Sequence, residues 1–194
     1  MPPVDGFADG LKVGVVADDL TGANDIGSHF AKAGHLTEVY LNTSAFTARE
    51  GPPPHVAIID TSSRLEPPAT AYERTFKATL ALKEAGYRRF FKKSCSVFRG
   101  NVSAEFDAML DALGEEFAIV VPGYPKNSRY THGGRMFVGE VPLEDSYFKD
   151  DPTHPSRDGD LVAVLKSQTR RRVALVPEAT VRSGPDSLRA HQDA

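Results

Sequence analysis

Two adjacent carboxylates, Asp18 and Asp19, follow a run of small and β-branched apolar residues at 13–17 and precede a turn that contains glycine. Two ionised carboxylates this close repel each other, so both stay charged only beside a cation or a hydroxyl-rich ligand. Such a pair can orient a hydroxyl group and accept its proton. Alternatively, the pair is solvated and caps the following helix, where Asp is favoured. The two residues alone leave both interpretations open.

A second polar group lies in KKSCSVFRGN, residues 92–101. Its cations suit an acidic ligand, and its hydroxyl and amide groups suit the hydroxyls of a sugar. The alternative is a loop with ordinary surface cations. Cys95 could be a nucleophile, but no His partner is identifiable from the sequence, which favours a structural or weakly reactive thiol.

Arg64 follows two serines at the end of a third apolar segment, HVAIIDTSSR. A guanidinium group can hold a carboxylate through two parallel hydrogen bonds, although a solvated arginine at the start of a helix is equally compatible with this position. Other chemistries find little support. The histidines lack the spacing of zinc ligands, and no phosphate-cradling or dinucleotide-binding glycine motif is present. The sequence therefore predicts no metal site.

Strands and helices alternate along the chain and can bring these residues together. The predicted strands are residues 13–17, 38–42, 55–64, 88–96, 117–125 and 172–181. Helices are predicted after the first strand, over residues 67–86, around residues 106–113 and over residues 160–168. This order predicts an α/β fold with three layers, a mostly parallel sheet with helices on both faces. The carboxyl ends of its strands share one edge, where ligands bind in such folds.

Composition limits the possible partners. The chain has 194 residues, a formal net charge of −3 and one cysteine. The charge argues against a nucleic-acid partner, and no apolar run reaches the ~20 residues that span a bilayer. A single cysteine fits a reducing compartment, so a cytoplasmic location is expected. We interpret residues 1–10 as a loose lead and residues 11–194 as one domain.

Five segments carry a resemblance to a known family. They are ADDLTGAND, DTSSR, KKSCSVFRGNVSAEFDAML, PGYPKNSRYTHGGRMFVGEVPL and DPTHPSRDGDLVAVLKSQT. In this order they resemble the N-terminal, sugar-acid-binding domain of the four-carbon acid sugar kinases, over residues 11–180. The first two segments are short, and the specificity comes from finding all five in order.

The resemblance implies an ATP-dependent kinase that phosphorylates the 4-hydroxyl of threonate, erythronate or an oxo-tetronate, with this chain supplying the substrate-binding half. ATP and Mg²⁺ would serve the complete enzyme, and neither is expected to bind to this chain alone. A separately encoded nucleotide-binding domain is the implied partner, together with a small-molecule sugar acid. The alternatives are a non-catalytic sugar-acid-binding module and an inactive, truncated remnant.

The family's motifs also indicate which residues act. By resemblance, the substrate-binding residues are Asp18, Arg64, Lys93, Cys95, Ser96 and Arg99. The catalytic carboxylate is Asp18 or Asp19, and the sequence does not distinguish them. Cys95 stands where the family usually has Asp, and a thiol is a weak hydrogen-bond acceptor. This departure implies either a different acid or a weakened site.

Overall fold

The computed structural model describes residues 12–153 and 158–192, without the side chains of the last two of these. The described residues form two compact units. The first extends to Cys95 and includes Gly100–Ile119, and the second comprises Ser96–Arg99 and the residues from Val120 onward. The lead predicted at residues 1–10 and part of the Asp-Pro-rich loop lie outside the described residues.

The first unit is built on a parallel sheet. Its elements are β1 (Val13–Ala17), α1 (Leu20–Lys32), β2 (Thr37–Tyr40), α2 (Thr43–Thr47), β3 (Val56–Asp60), α3 (Pro68–Glu84), β4 (Arg89–Lys93) and α4 (Val102–Leu113). The strands are ordered β2-β3-β1-β4, and every neighbouring pair is parallel. The predicted parallel sheet is confirmed, with its first four strands in the predicted places.

Alternation along the central strands divides the core between two faces. Val15 and Ile58 pack with residues of α1, whereas Val16 and Ile59 pack with Leu82 of α3 and with residues of α2 and α4. Because successive side chains of a strand point to opposite faces, each central strand contributes to both clusters. Helices therefore cover both faces of the sheet, as the sequence predicted.

The predicted fifth strand is wrong. Residues 117–123 contain no strand, and Phe117, Ile119 and Val121 are 62%, 78% and 81% exposed. An apolar run shows which side chains could be buried, but a strand also needs a hydrogen-bonding neighbour. Among the described residues, the predicted segment 117–125 pairs only through an isolated bridge at Tyr124.

The predicted sixth strand is also wrong. Residues 173–177 are irregular, and a short helix, α6 (Glu178–Arg182), begins directly after Pro177. Proline is favoured at a helix start because its own missing N–H would have no partner within the helix there. The dipeptide Pro177–Glu178 is therefore better interpreted as the beginning of a helix than as the middle of a strand.

The second unit contains a small antiparallel sheet, β5 (Arg129–His132), β6 (Arg135–Val138) and β7 (Val141–Pro142). Gly133 and Gly134 connect the first two strands with φ of +55° and +81°, as a two-residue hairpin turn requires. Three short 3-10 helices lie at Pro125–Asn127, Leu143–Asp145 and Tyr147–Asp150. The remaining helices are α5 (Leu161–Gln168), as predicted, and α7 (Pro185–Gln192). Across both units, the described helices are all too short or too polar to cross a membrane.

A buried tyrosine predicts how stability depends on pH. Tyr87 is fully buried, and its hydroxyl donates to the Pro54 carbonyl at 3.0 Å. Burial raises the pKa of Tyr87 to about 12 from an ordinary value of 10. Folding therefore favours the neutral phenol. The contribution of the buried Tyr87 phenol to the free energy of unfolding is complete below pH 10 and is lost as the pH rises toward 12.

We expect the melting temperature of the wild-type chain to fall more steeply between pH 10 and 12 than that of Tyr87→Phe. Thermal unfolding followed by circular dichroism at several pH values would measure this. Tyr130→Phe, a change at an exposed tyrosine, should leave the wild-type profile unaltered. Parallel profiles for the wild-type chain and Tyr87→Phe would contradict the expectation.

Candidate functional site

The polar ends of β1 and β3 meet through three side chains of the first unit. Arg64 donates from Nε to Asp18 Oδ2 at 2.7 Å and from Nη2 to Asp18 Oδ1 at 3.0 Å. Its Nη1 donates to Asp19 Oδ2 at 2.6 Å. The guanidinium group thus binds one carboxylate with two hydrogen bonds and the adjacent one with a third. The cation that two neighbouring carboxylates require is supplied by the protein itself.

Backbone hydrogen bonds fix the end of β1 between its two neighbours. The Asp18 carbonyl accepts from the N–H of Ser63 at 3.0 Å and from that of Arg64 at 3.3 Å. The Asp18 N–H donates to the Lys93 carbonyl at 3.2 Å. The Asp18 peptide is therefore anchored to the ends of both β3 and β4. The parallel sheet produces this arrangement because all its carboxyl ends lie at one edge.

A tight turn brings Arg64 back over β1. Ser62 has φ of +45°, a left-handed conformation that is uncommon for a residue other than glycine. Its N–H and hydroxyl both donate to the Asp60 carboxylate, at 2.8 and 2.9 Å. An aspartate side chain that binds the backbone two residues later stabilises such a turn. Asp60 therefore directs the chain so that Arg64 reaches the acidic pair.

The two aspartates differ in exposure. The Asp18 side chain is 2% exposed, whereas that of Asp19 is 29% exposed. Asp19 is also the N-cap of α1, and its Oδ1 accepts from the Gly22 N–H at 2.8 Å. Helix capping and pairing with a cation thus both apply to Asp19. Asp18 is buried against Arg64, and Asp19 is the more solvent-accessible of the two carboxylates.

Arg64 stays charged. Burial on its own lowers the pKa of a guanidinium group, but the hydrogen bond to Asp18 and the negative charge of Asp18, with a smaller contribution from Asp19, outweigh this and raise the pKa of Arg64. Arg64 is thus protonated across the physiological range. All three guanidinium nitrogens already bind protein carboxylates.

Lys93 provides a second cation close to the acidic pair. Its Nζ lies 3.5 Å from Asp25 Oδ2 in α1, a long ion pair. A side chain added at Gly22 would place its Cβ 3.4 Å from Lys93 Nζ and 2.7 Å from Asp19 Oδ1. Lys93 therefore lies at the first turn of α1, beside Asp19, and glycine at position 22 leaves room for both groups.

The sequence-predicted site residues are divided between the two units. The first unit brings together Asp18, Asp19, Arg64 and Lys93 and also contains Cys95, which is buried. Ser96 and Arg99 belong to the second unit. There Arg99 pairs with Asp151 and lies 5.3 Å from the centre of the Phe148 ring. The roles of these residues in ligand binding stay predictions.

The prediction missed two residues that shape the Arg64 turn. Asn101 donates from Nδ2 to the carbonyls of Ser63 and Glu66, at 3.1 and 2.7 Å. Gly100 has φ of +92°, and a Cβ there would lie 2.7 Å from the Arg64 carbonyl oxygen. The adjacent glycine and asparagine in RGN were the available signal, because these residue types mark turns and close backbone approach.

Gly100→Ala is expected to destabilise the chain more than Gly114→Ala does. Both glycines have positive φ, but a Cβ at Gly114 meets nothing within 4 Å. The loss of unfolding free energy in Gly114→Ala therefore measures backbone strain alone. In Gly100→Ala the additional clash with Arg64 should raise this loss to about 1–3 kcal/mol. Urea denaturation of both variants tests this, and equal losses would show that the close approach to Arg64 is unimportant.

No group of three or more His, Cys, Asp or Glu residues that could hold a metal ion occurs within residues 12–153 and 158–192. Three side chains with two charge signs nevertheless form a preorganised polar site. Arg64 fixes both carboxylates, Asp19 is accessible, and Lys93 adds a cation nearby. Such a site can accept hydrogen bonds from hydroxyl groups, hold an anion and remove a proton.

The chain is similar to known proteins over most of its length. A family model described as "Sugar-binding N-terminal domain" matches residues 13–194. The chain is 36% identical over 188 residues to a 3-oxo-tetronate kinase from Methylobacterium radiotolerans, covering 95% of this chain and 44% of that protein. It is 36% identical over 175 residues to a D-erythronate kinase from Heliobacterium modesticaldum, covering 90% of this chain and 40% of that protein. The chain thus spans less than half the length of these relatives.

Solved structures share the fold. The Haemophilus influenzae protein HI1011 superposes with a TM-score of 0.83 at 33% identity, covering 92% of this chain and 44% of that one. A Bordetella bronchiseptica protein, solved with bound citrate as a domain-swapped dimer, gives a TM-score of 0.75 at 31% identity, covering 81% of this chain and 41% of that one. These matches support the α/β architecture and the resemblance found in the sequence.

Proposed function

Because this chain belongs to the family of sugar-binding N-terminal domains, we propose that it binds a four-carbon sugar acid and supplies the substrate-binding half of an ATP-dependent kinase. The observation that carries the proposal is the cluster of Asp18, Asp19 and Arg64 beside Lys93. The names of the relatives, a 3-oxo-tetronate kinase and a D-erythronate kinase, support the class of substrate.

Lys93 is the group that binds the carboxylate of the sugar acid. Arg64 already binds two protein carboxylates through Nε and both Nη atoms. The ammonium group of Lys93 has only the long pair with Asp25 among the described residues. A ligand carboxylate can therefore approach Lys93 without breaking a strong ion pair. Citrate in the Bordetella bronchiseptica protein supports an acidic ligand for this fold.

Asp19 acts as the catalytic base, and Asp18 positions it through Arg64. Asp19 is the accessible carboxylate, and each of its oxygens retains a lone pair beyond its bond to Gly22 or Arg64. The 4-hydroxyl oxygen forms a bond to the γ-phosphorus of ATP, and the bond from this phosphorus to the bridging oxygen breaks. The hydroxyl proton passes to the Asp19 carboxylate.

The nucleotide is held by the part of the kinase that this chain does not match in its longer relatives. Mg²⁺ bound with ATP neutralises the charge on the phosphates in such reactions. The described residues offer no cluster of ligands for such an ion. We assign to this chain the binding of the sugar acid and the acceptance of its hydroxyl proton.

A second candidate is a non-catalytic module that binds the sugar acid. Cys95 favours it, because a thiol stands where the resemblance leads one to expect a carboxylate, and a thiol is a weak acceptor. The two candidates share the same ligand site and differ in turnover. ATP-dependent phosphorylation of the sugar acid by a kinase that contains this chain would favour the first candidate over the non-catalytic module.

Isothermal titration with threonate, erythronate and 3-oxo-tetronate tests the proposal, with erythritol as the neutral four-carbon control. We expect at least one acid to bind and erythritol to bind at least about tenfold more weakly, since a hydrogen bond to a charged group contributes about 1.5–3 kcal/mol. Lys93→Met should remove this preference. Equal binding of the acid and the neutral polyol would contradict the assignment of Lys93.

A further inference from the structure

A buried ion pair lies beneath the site and takes no part in the proposed chemistry. Lys92 Nζ lies 2.7 Å from Glu105 Oε2, and the two side chains are 3% and 2% exposed. Removing two charges from water costs several kcal/mol per ion, and well-packed apolar residues often stabilise a fold equally well. The pair therefore calls for an explanation other than stability.

The hydrogen bonds of this pair lead to Asp18 by two routes. On one side, Lys92 Nζ donates to the Lys93 carbonyl at 3.1 Å, and the same carbonyl accepts from the Asp18 N–H at 3.2 Å. On the other side, the Ser63 hydroxyl donates to Glu105 Oε1 at 2.5 Å, and the Ser63 N–H donates to the Asp18 carbonyl at 3.0 Å. The backbone N–H and the backbone carbonyl of Asp18 are thus both connected, each through one intermediate group, to the ion pair of Lys92 and Glu105.

The alternation of β4 explains why adjacent lysines have different tasks. Lys92 is in register with Val16, which faces the core under α3 and α4, so it reaches Glu105 in α4. Lys93 is in register with Ala17, which packs on the α1 side, and it lies near Asp25. Lys93 can meet a ligand, whereas Lys92 is enclosed by protein.

We propose that Lys92 and Glu105 are positioning residues that hold the Asp18 peptide in register, and so set the affinity for the sugar acid without touching it. The pair connects α4, β4 and the segment after β3 at the point where Arg64 must meet both aspartates. A small shift of the Asp18 peptide would misalign the hydrogen bonds of Arg64, since these weaken steeply with angle. This inference rests on the proposed function for its affinity readout.

The variant K92M/E105L tests the inference, because it replaces both charges with apolar groups of similar size. We expect its melting temperature to stay within about 4 °C of the wild-type value. We expect its dissociation constant for the sugar acid to rise at least about tenfold, the change that ~1.4 kcal/mol of misalignment produces. A stable double variant with wild-type affinity would overturn the inference and leave the pair a structural feature.

A second pair of variants keeps the test decisive if the double variant does not fold. Ser63→Ala removes the hydroxyl that links Glu105 to the segment before Arg64, without any change of charge. Thr79→Val removes a buried hydroxyl that bonds within α3 and serves as the control. Weaker binding by Ser63→Ala alone supports the inference, and equal affinity in the two variants overturns it.

Amide hydrogen exchange separates this inference from the proposed function. The Asp18 N–H should be protected in the wild-type chain and should exchange at least about tenfold faster in K92M/E105L, while the amides within β1 stay protected. If the wild-type chain binds no sugar acid, the proposed function fails, and this readout still tests the positioning of Asp18. Unchanged exchange at Asp18 overturns the inference.

Discussion

Arg64→Met is expected to destabilise the chain by about 3–5 kcal/mol and to abolish binding of the sugar acid. The substitution leaves two adjacent carboxylates without their counter-ion, and one of them, Asp18, is almost fully buried. Breaking a buried ion pair from one side has a cost of this size because the remaining charge is uncompensated. Urea denaturation followed by circular dichroism would measure the change.

Two further variants show whether this loss comes from the stranded charge. Arg182→Met removes an exposed partner of Glu178, and it should change the stability by less than about 1 kcal/mol. Asp18→Asn, introduced together with Arg64→Met, removes the buried charge and should recover part of the lost stability. A loss below about 1 kcal/mol for Arg64→Met, or no recovery in the double variant, would contradict the role of Arg64 as internal counter-ion.

Asp19→Asn is expected to lower kcat by about 10²–10⁴ in the kinase that contains this chain, since it removes the proposed general base. Asn is as good an N-cap as Asp, so the bond to the Gly22 N–H and the start of α1 should survive. The dissociation constant of the sugar acid should change much less than kcat. Steady-state kinetics with titration of the sugar acid would measure both quantities.

Asp160→Asn is the matched control, because Asp160 caps α5 through the Ala163 N–H as Asp19 caps α1. It makes the same chemical change at a helix terminus in the second unit and should leave kcat unaltered. If Asp19→Asn keeps kcat within about threefold of the wild-type value, Asp19 is not the base.

The sequence predicted the first unit well because two physical signals agree there. Apolar runs such as Val13–Ala17 alternate with helical periodicity, and polar residues follow each strand. The parallel arrangement then requires these polar ends to share an edge. Asp18 and Arg64 lie together in the structure. The topology of the sheet is sufficient to predict this proximity, because it brings the ends of β1 and β3 to the same edge.

The sequence could not reveal which cation pairs with which anion. The family resemblance makes both Arg64 and Lys93 substrate-binding residues, and the structure shows the guanidinium nitrogens of Arg64 engaged with Asp18 and Asp19. That outcome depends on the left-handed turn at Ser62 and the close approach at Gly100. Lys92 and Lys93 look equivalent in the sequence, although alternation along β4 could have separated them.

The residues after α4 were harder to predict, because apolar composition alone does not distinguish a strand from an irregular segment. The segments at 117–125 and 172–181 contain the apolar residues of a strand, but among the described residues neither forms a ladder with a neighbour. Whether a segment pairs with another strand depends on residues far away in the sequence, so the composition of the segment alone does not predict it. Conversely, the hairpin around Gly133 and Gly134 carries its own turn signal, and it forms.

A crystal structure of the chain with erythronate or 3-oxo-tetronate tests the central claim most directly. We expect the ligand carboxylate to lie about 3 Å from Lys93 Nζ and a terminal hydroxyl to lie within hydrogen-bonding distance of Asp19. Arg64 should still bridge the two aspartates. An acid bound elsewhere on the chain, with the cluster of Asp18, Asp19 and Arg64 free of ligand, would contradict the account.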